Sequence, residues 1–263
     1  MAEAVAVDQL AVGTHACLTF TDQDERLDLL AAFVDEGLHA GARVVCFTDA
    51  ISAGTLTSEL SQRSVACDDA TARDQLRVAD CATWLRPGVP TAQRMLDSIA
   101  AVSYTQRQEL LRFERRLSSL APAGTLTTIC QYDRDIFDPV TLAFAADVHQ
   151  NAVAAQVYHE DPLLRVCRQY RPAGVRIAGE LDFRNLAVLQ QALAESIRLD
   201  HHVHLNLRQL QYMDAACAGE IVRAAVQLPA DRHLVVRCGP LVDKLLRLCG
   251  GIDVAQLRVT SEP

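Results

Sequence analysis

The residues of this 263-residue chain best equipped for chemistry are its nine cysteines and eight histidines. Thiolates and imidazoles serve as nucleophiles, general bases and soft-metal ligands, but each task needs partners at a set distance. The cysteines stand at positions 17, 46, 67, 81, 130, 167, 217, 238 and 249, so the closest two are 11 residues apart. No CxxC occurs, which removes the local signatures of zinc ribbons and thioredoxin-like redox sites. Most lie in apolar strings such as RVVCFT and HLVVRC, where cysteine acts as a small buried hydrophobe. His201, His202 and His204 form a small group, but on a strand 202 and 204 share one face and 201 takes the other, with no acidic or thiol ligand at suitable spacing. His15, in a strand-like run, and His149, in a helical one, read as structural residues. No metal site and no cofactor is expected from these spacings. Local spacing leaves open a site assembled in space, such as a Cys–His nucleophile pair drawn from Cys130 and His149.

Nucleotide chemistry of the Walker type needs Gly-Lys followed by Ser or Thr, and the single lysine, Lys244, follows Asp243. GxGxxG, GxSxG and HExxH are also absent. Charge divides unevenly, with a net −10 over residues 1–165 and +2 over 166–263. An acidic front half and a rear half without a basic stripe argue against a nucleic-acid partner. Apolar runs fall far short of the roughly 18 residues of a membrane span, and the opening MAEAVAVDQL lacks the basic start of a signal peptide, so a cytoplasmic protein without a membrane partner is expected.

The elements that must position these residues follow from periodicity. Residues 14–20 read as a strand; Asp22, three before Glu25, starts a helix carrying Leu27, Leu30, Phe33, Val34 and Leu38 at helical spacing; residues 43–48 form a buried strand. That βαβ order implies a parallel sheet. Further helices are expected at 53–62 and 91–120, strands at 75–79 and 125–132, and a helix from Asp138, whose next residue is Pro139. Two prolines and mixed charges over 159–173 mark a boundary, which gives domains of 1–165 and 166–263. The rear part alternates strands at 175–183, 203–207 and 233–237 with helices at 185–199, 214–227 and 241–248.

In that rear part, VRIAGELDF, VHLNLRQLQYMDAACAGEIV, LVVRC and VDKLLRLCGGID resemble a STAS domain, the module of anti-sigma-factor antagonists. The family's Asp-Ser-Ser-Gly segment, at a helix start, carries the serine that an anti-sigma kinase phosphorylates. Here Asp214 matches the aspartate, Ala215 and Ala216 stand for the serines, Cys217 for the glycine, and Ala218 follows; Asn206 replaces an aspartate of the preceding strand, while Gly179, Glu180, Leu181 and Asp182 keep the family's form. The resemblance implies a partner-binding surface at Asp214, Ala215, Ala216, Cys217 and Ala218 without a phosphoacceptor. The partner would be an anti-sigma-type kinase or another STAS protein, and a homodimer or scaffold is the alternative. Placed in the first turn of a helix, Cys217 is also a candidate for a thiol of lowered pKa acting as a redox switch.

The front part, through GTHACLTF, DEGLHAGARVVCF, RFERRL and CQYDRDIFDPVTLAFAADVH, resembles the MEDS sensory domain over about residues 10–165. It implies a RecA-like parallel-sheet domain without a P-loop, so that the whole is an α/β protein with a small STAS-type α/β domain behind it. The sensory candidates are His15, Glu114, Cys130, Tyr132, Asp133 and His149, facing an unnamed small-molecule ligand. Gln150 stands where proline usually follows the histidine, and a strand and helix usual before the glutamate are missing around residues 98–108. The expected function is a non-enzymatic signalling regulator, with a dispersed-site cysteine enzyme as the alternative.

Overall fold

A side chain that accepts from the first free N–H groups of a helix decides where that helix begins, and Asp22 does so in the computed structural model, which describes residues 3–48, 51–80 and 126–261. Its Oδ1 accepts from the amides of Asp24 (2.8 Å) and Glu25 (3.2 Å). The expected strand and helix are β2 (His15–Phe20) and α1 (Gln23–His39), and Gly41, at φ +74°, turns the chain after α1. Then come β3 (Val44–Thr48), α2 (Ala53–Gln62), α3 (Cys67–Ala72) and β4 (Leu76–Asp80). After the undescribed stretch, which contains the helix expected at 91–120 and the candidate Glu114, follow β5 (Thr128–Asp133), α4 (Pro139–Val148) and β6 (Asn151–Ala154). Asp138 caps α4 through bonds from Val140 and Thr141, with Pro139 inside the first turn.

These elements, with β1 (Glu3–Ala6), fall in the first of two compact units, residues 1–154. Every strand pair described in it is parallel, in the order β1-β6-β2-β5 for one sheet and β3-β4 for the other. The direction agrees with the βαβ reading, but β3 bonds to β4 and not to β2. One core joins Leu27, Leu30, Ala31 and Val34 of α1 to Val44, Cys46, Leu56, Leu60 and Leu76. A smaller one puts α4, through Ala145 and Leu142, over Cys17, Cys130 and Tyr132.

The second unit, residues 155–263, opens with two strands where a linker is expected. These are β7 (Val157–Glu160) and β8 (Leu164–Gln169), antiparallel to each other, with β8 antiparallel to β9 (Gly174–Leu181). The charges and prolines there suggested a boundary, yet Leu164, Val166, Cys167 and Gln169 are buried, and the charge of Arg168 is met by Asp200. β7 extends the rear sheet although it lies within residues 1–165. The remaining elements are α5 (Leu186–Leu199), β10 (Val203–Leu207), β11 (Leu210–Met213), α6 (Ala215–Val226), β12 (Leu234–Cys238), α7 (Pro240–Leu248) and β13 (Leu257–Ser261). The sheet order is β13-β12-β10-β9-β8-β7, with β11 also on β9. β9, β10, β12 and β13 run parallel, so the sheet is mixed only at its β8 and β7 edge. Ile177, Leu181, Leu189, Leu193, Leu205 and Ile221 are among its fully buried side chains. The class is α/β in both units, as expected.

Candidate functional site

Alternation along a strand puts His15 and Cys17 on one face of β2, and Thr128, Cys130 and Tyr132 on one face of β5. The parallel register pairs His15 with Thr128 and Cys17 with Cys130, so all five share one side of the sheet. On that side His15 Nε2 lies 3.3 Å from Cys130 Sγ. His149, on the far side of α4, completes the group: its ring centroid is 4.2 Å from that of His15 and 6.0 Å from that of Tyr132. His15, Cys130 and His149 each place one ligand atom within 4.8 Å of the others. His15 and His149 are buried and Cys130 is half-buried.

His149 is not within the helix, as its sequence context suggests, but at the C-cap, with extended φ −103° and ψ 135°. Its Nδ1 is 2.6 Å from the Ala145 carbonyl. A carbonyl only accepts, so Nδ1 carries a proton, and in the neutral ring Nε2 is then the nitrogen with the lone pair. Thus the fold brings together four of the front candidates, His15, Cys130, Tyr132 and His149. Cys130 Sγ has the His15 imidazole as a hydrogen-bond neighbour, and His149 also places a ligand atom within 4.8 Å of it. Asp133 does not join them: its Oδ1 accepts from the Asp135 amide at 2.9 Å, which shapes the turn after β5. Sequence reasoning passed over Cys17 and Thr128, although the i, i+2 spacings 15/17 and 128/130/132 carry that signal. No helix among the described residues is long and apolar enough to cross a membrane.

In the rear unit, the five residues singled out at the start of α6 divide into three kinds. Asp214 is a bracket: Oδ1 accepts from the Cys217 amide (2.9 Å) and Oδ2 from the Phe183 amide (2.7 Å), tying the segment after β9 to the helix start. Cys217 and Ala218 belong to the core, and Ala215 and Ala216 are exposed. Phe183 is 69% exposed, so the residue Asp214 holds presents its ring to solvent. Cys249, whose Sγ lies 3.8 Å from the Ala215 carbonyl, follows the exposed Leu248.

Its surroundings do not give Cys217 the lowered pKa that a helix start by itself would favour. Burial first, and then the adjacent Asp214 carboxylate, push its thiol up to about 12, against the pull of the helix dipole. Cys217 is accordingly expected to resist alkylation at pH 8 in the folded protein and to react only after denaturation, as read by peptide mass spectrometry. Fast labelling of the native protein at Cys217 would contradict this.

The rear histidines form no set of metal-ligating groups among the described residues. His202 Nδ1 accepts from the His233 amide at 3.2 Å, His233 Nε2 lies 2.9 Å from Arg258, and His204 Nδ1 is buried with no hydrogen-bond partner among the described residues. Burial, then His202 and Arg237, lower the His204 pKa, with Asp200 opposing weakly. A histidine kept neutral by the fold binds more protons when unfolded. Its favourable contribution is therefore complete above the unfolded pKa of about 6.5 and declines as pH falls from there toward the folded value. Between pH 7.5 and 5 the urea midpoint of the wild type should fall more than that of His204→Gln; equal falls would show that His204 plays no part.

Residues 14–103 match the family model described as MEDS, the methanogen/methylotroph, DcmR sensory domain, and residues 165–256 match the one described as Mlab, STAS domain. The chain thus carries a MEDS domain followed by a STAS domain. The matched MEDS stretch contains His15 but not Glu114, Cys130, Tyr132, Asp133 or His149. Among solved structures, the chain is similar to a KaiC-like protein of the hyperthermophilic archaeon Pyrococcus horikoshii OT3, at 14% identity and a TM-score of 0.44, covering 65% of this chain and 80% of that one. No curated protein matches. A sensory domain joined to a STAS domain makes a signalling or regulatory role the functional class.

Proposed function

We propose that the protein is a non-enzymatic cytoplasmic regulator in which the front domain, about residues 1–165 by sequence, senses an input, and the rear domain binds an anti-sigma-type kinase or another STAS protein. The observation that carries this reading is the start of α6. Ala215 and Ala216 are exposed there, beside a phenylalanine whose backbone is held by Asp214 and whose ring faces water. A small, apolar, rigid surface suits docking. With alanine at 216 no phosphate can be attached at the family's acceptor position, so the surface stays in one charge state and control must come from elsewhere. Input at the front domain supplies that control if the sensed ligand favours one of two states that differ in partner affinity.

The test restores the acceptor. Ala216→Ser adds one oxygen at an exposed position, where it leaves the fold intact. In host lysate with labelled ATP, the full-length variant is expected to receive phosphate at residue 216, as a docked kinase would place it, while the wild type receives none between 214 and 218. A variant that is folded and never phosphorylated would count against a kinase partner.

A further inference from the structure

We infer that the front unit holds a transition-metal site, with zinc as the ion its ligands suit, formed by His15 Nε2, Cys130 Sγ and His149 Nε2. The site stands on the geometry of this unit alone; only its use as the sensed input rests on the regulatory reading above.

Four observations converge on it. Each of the three residues places one ligand atom within 4.8 Å of the others, and His15 Nε2 lies 3.3 Å from Cys130 Sγ. Two ligands of a tetrahedral zinc, at about 2.05 and 2.3 Å from the ion, lie about 3.6 Å from each other. An ion therefore enters with shifts of tenths of an ångström at that pair. The ligand types agree as well, since two imidazoles and a thiolate suit zinc or copper, whereas calcium and magnesium take oxygen ligands.

The third observation is the support behind His149. Its Nδ1–H donates to the Ala145 carbonyl, the second-sphere arrangement that metal-binding histidines use to fix their tautomer and ring orientation. The fourth is Thr128. Its Oγ1 is buried and bonds to nothing among the described residues, yet Thr128 pairs with His15 in register and precedes Cys130 by one alternation on the same face. A hydroxyl so placed suits a hydrogen bond to the sulfur or to a further ligand on the ion.

Binding is balanced by one proton. The Cys130 thiol gives its proton to solvent, both imidazoles bind in their neutral form, and Zn2+ with one thiolate leaves a site of net charge +1. Three protein ligands leave a fourth position open, as in zinc sites that exchange a small ligand. Cys130 is half-buried, which gives the ion a way in.

The experiment uses the full chain, stripped with chelator and titrated with Co2+ and Zn2+. One Co2+ per chain is expected, with thiolate-to-cobalt absorption that Zn2+ abolishes by displacement. Cys130→Ser should lose that absorption while keeping the wild-type circular dichroism. His149→Gln should weaken Co2+ binding at least tenfold, with Cys130 protected from alkylation by Zn2+ in the wild type only. Sub-stoichiometric binding, or absorption that persists in Cys130→Ser because another of the cysteines binds the ion, would overturn the site. Loss of the site would leave partner binding by the rear domain untouched. A protein that binds metal stoichiometrically but shows no phosphorylation of Ala216→Ser would keep the site and count against the kinase partner.

Discussion

Arg168→Ala should destabilise the rear unit by about 3–5 kcal/mol, the cost of leaving a buried charge without its partner. Arg168 Nη1 and Nη2 donate to the two oxygens of Asp200 at 2.5 and 2.6 Å, and Ser196 donates to the same carboxylate at 2.6 Å. Both charged side chains are largely withdrawn from water, at 13% and 8% exposure. Burial alone would lower the Arg168 pKa, but hydrogen bonds and charge from Asp200 outweigh it and raise it. The pair clamps β8 to the end of α5, so its loss should loosen the edge of the sheet as well. Urea unfolding followed by circular dichroism reads the change. The double variant Arg168→Met with Asp200→Leu should recover much of it, because no lone charge then remains. A loss below about 1 kcal/mol in Arg168→Ala would show that the pair behaves as a surface bridge.

The second large effect is expected at Gly179, in the segment Gly179-Glu180-Leu181-Asp182 that the resemblance singles out. Gly179 has φ +99°, a conformation closed to side chains with a Cβ, and an added Cβ would sit 2.0 Å from the Leu163 carbonyl oxygen. That carbonyl accepts from the Glu180 amide at 2.8 Å, and the Gly179 amide donates to Gln209. Neither strand can retreat without breaking a backbone bond. Gly179→Ala should therefore cost about 2–6 kcal/mol, from backbone strain together with overpacking. Thermal unfolding of the purified variant measures it, and a melting temperature within a degree of wild type would contradict the account. The glycine is thus required by the way β8 and β11 crowd β9, not by a ligand.

Where a residue's environment is local, it was legible in the chain. Asp22 and Asp138 cap helices where their spacing to the apolar pattern says they should, and α2 spans Ala53–Gln62 as the periodicity predicts. What escaped has physical causes. β1 and β6 are four residues each, too short to show a period, and become strands by pairing with each other. β8 looked like a linker because Arg168 and Gln169 interrupt its apolar pattern; partners brought from 32 residues away, and from the Pro172 carbonyl, make those polar residues tolerable inside. The His15–Cys130 contact spans 115 residues, beyond any reading by local spacing, and strand register alone creates it. Cys217 shows the opposite limit. Its place at a helix start is local and visible, whereas the burial that dominates its chemistry is tertiary.

The claim at the centre of this account is that the exposed start of α6 binds a signalling protein. Capture from host lysate with the full chain, beside an Ala216→Arg form that puts a long charged side chain at that position, tests it most directly when the recovered proteins are quantified by mass spectrometry. The account predicts that the wild type enriches an anti-sigma-type kinase or a STAS-domain protein, and that Ala216→Arg, with an unchanged circular dichroism spectrum, loses it. If no such protein is enriched, or if both forms enrich it equally, the start of α6 is not the docking surface.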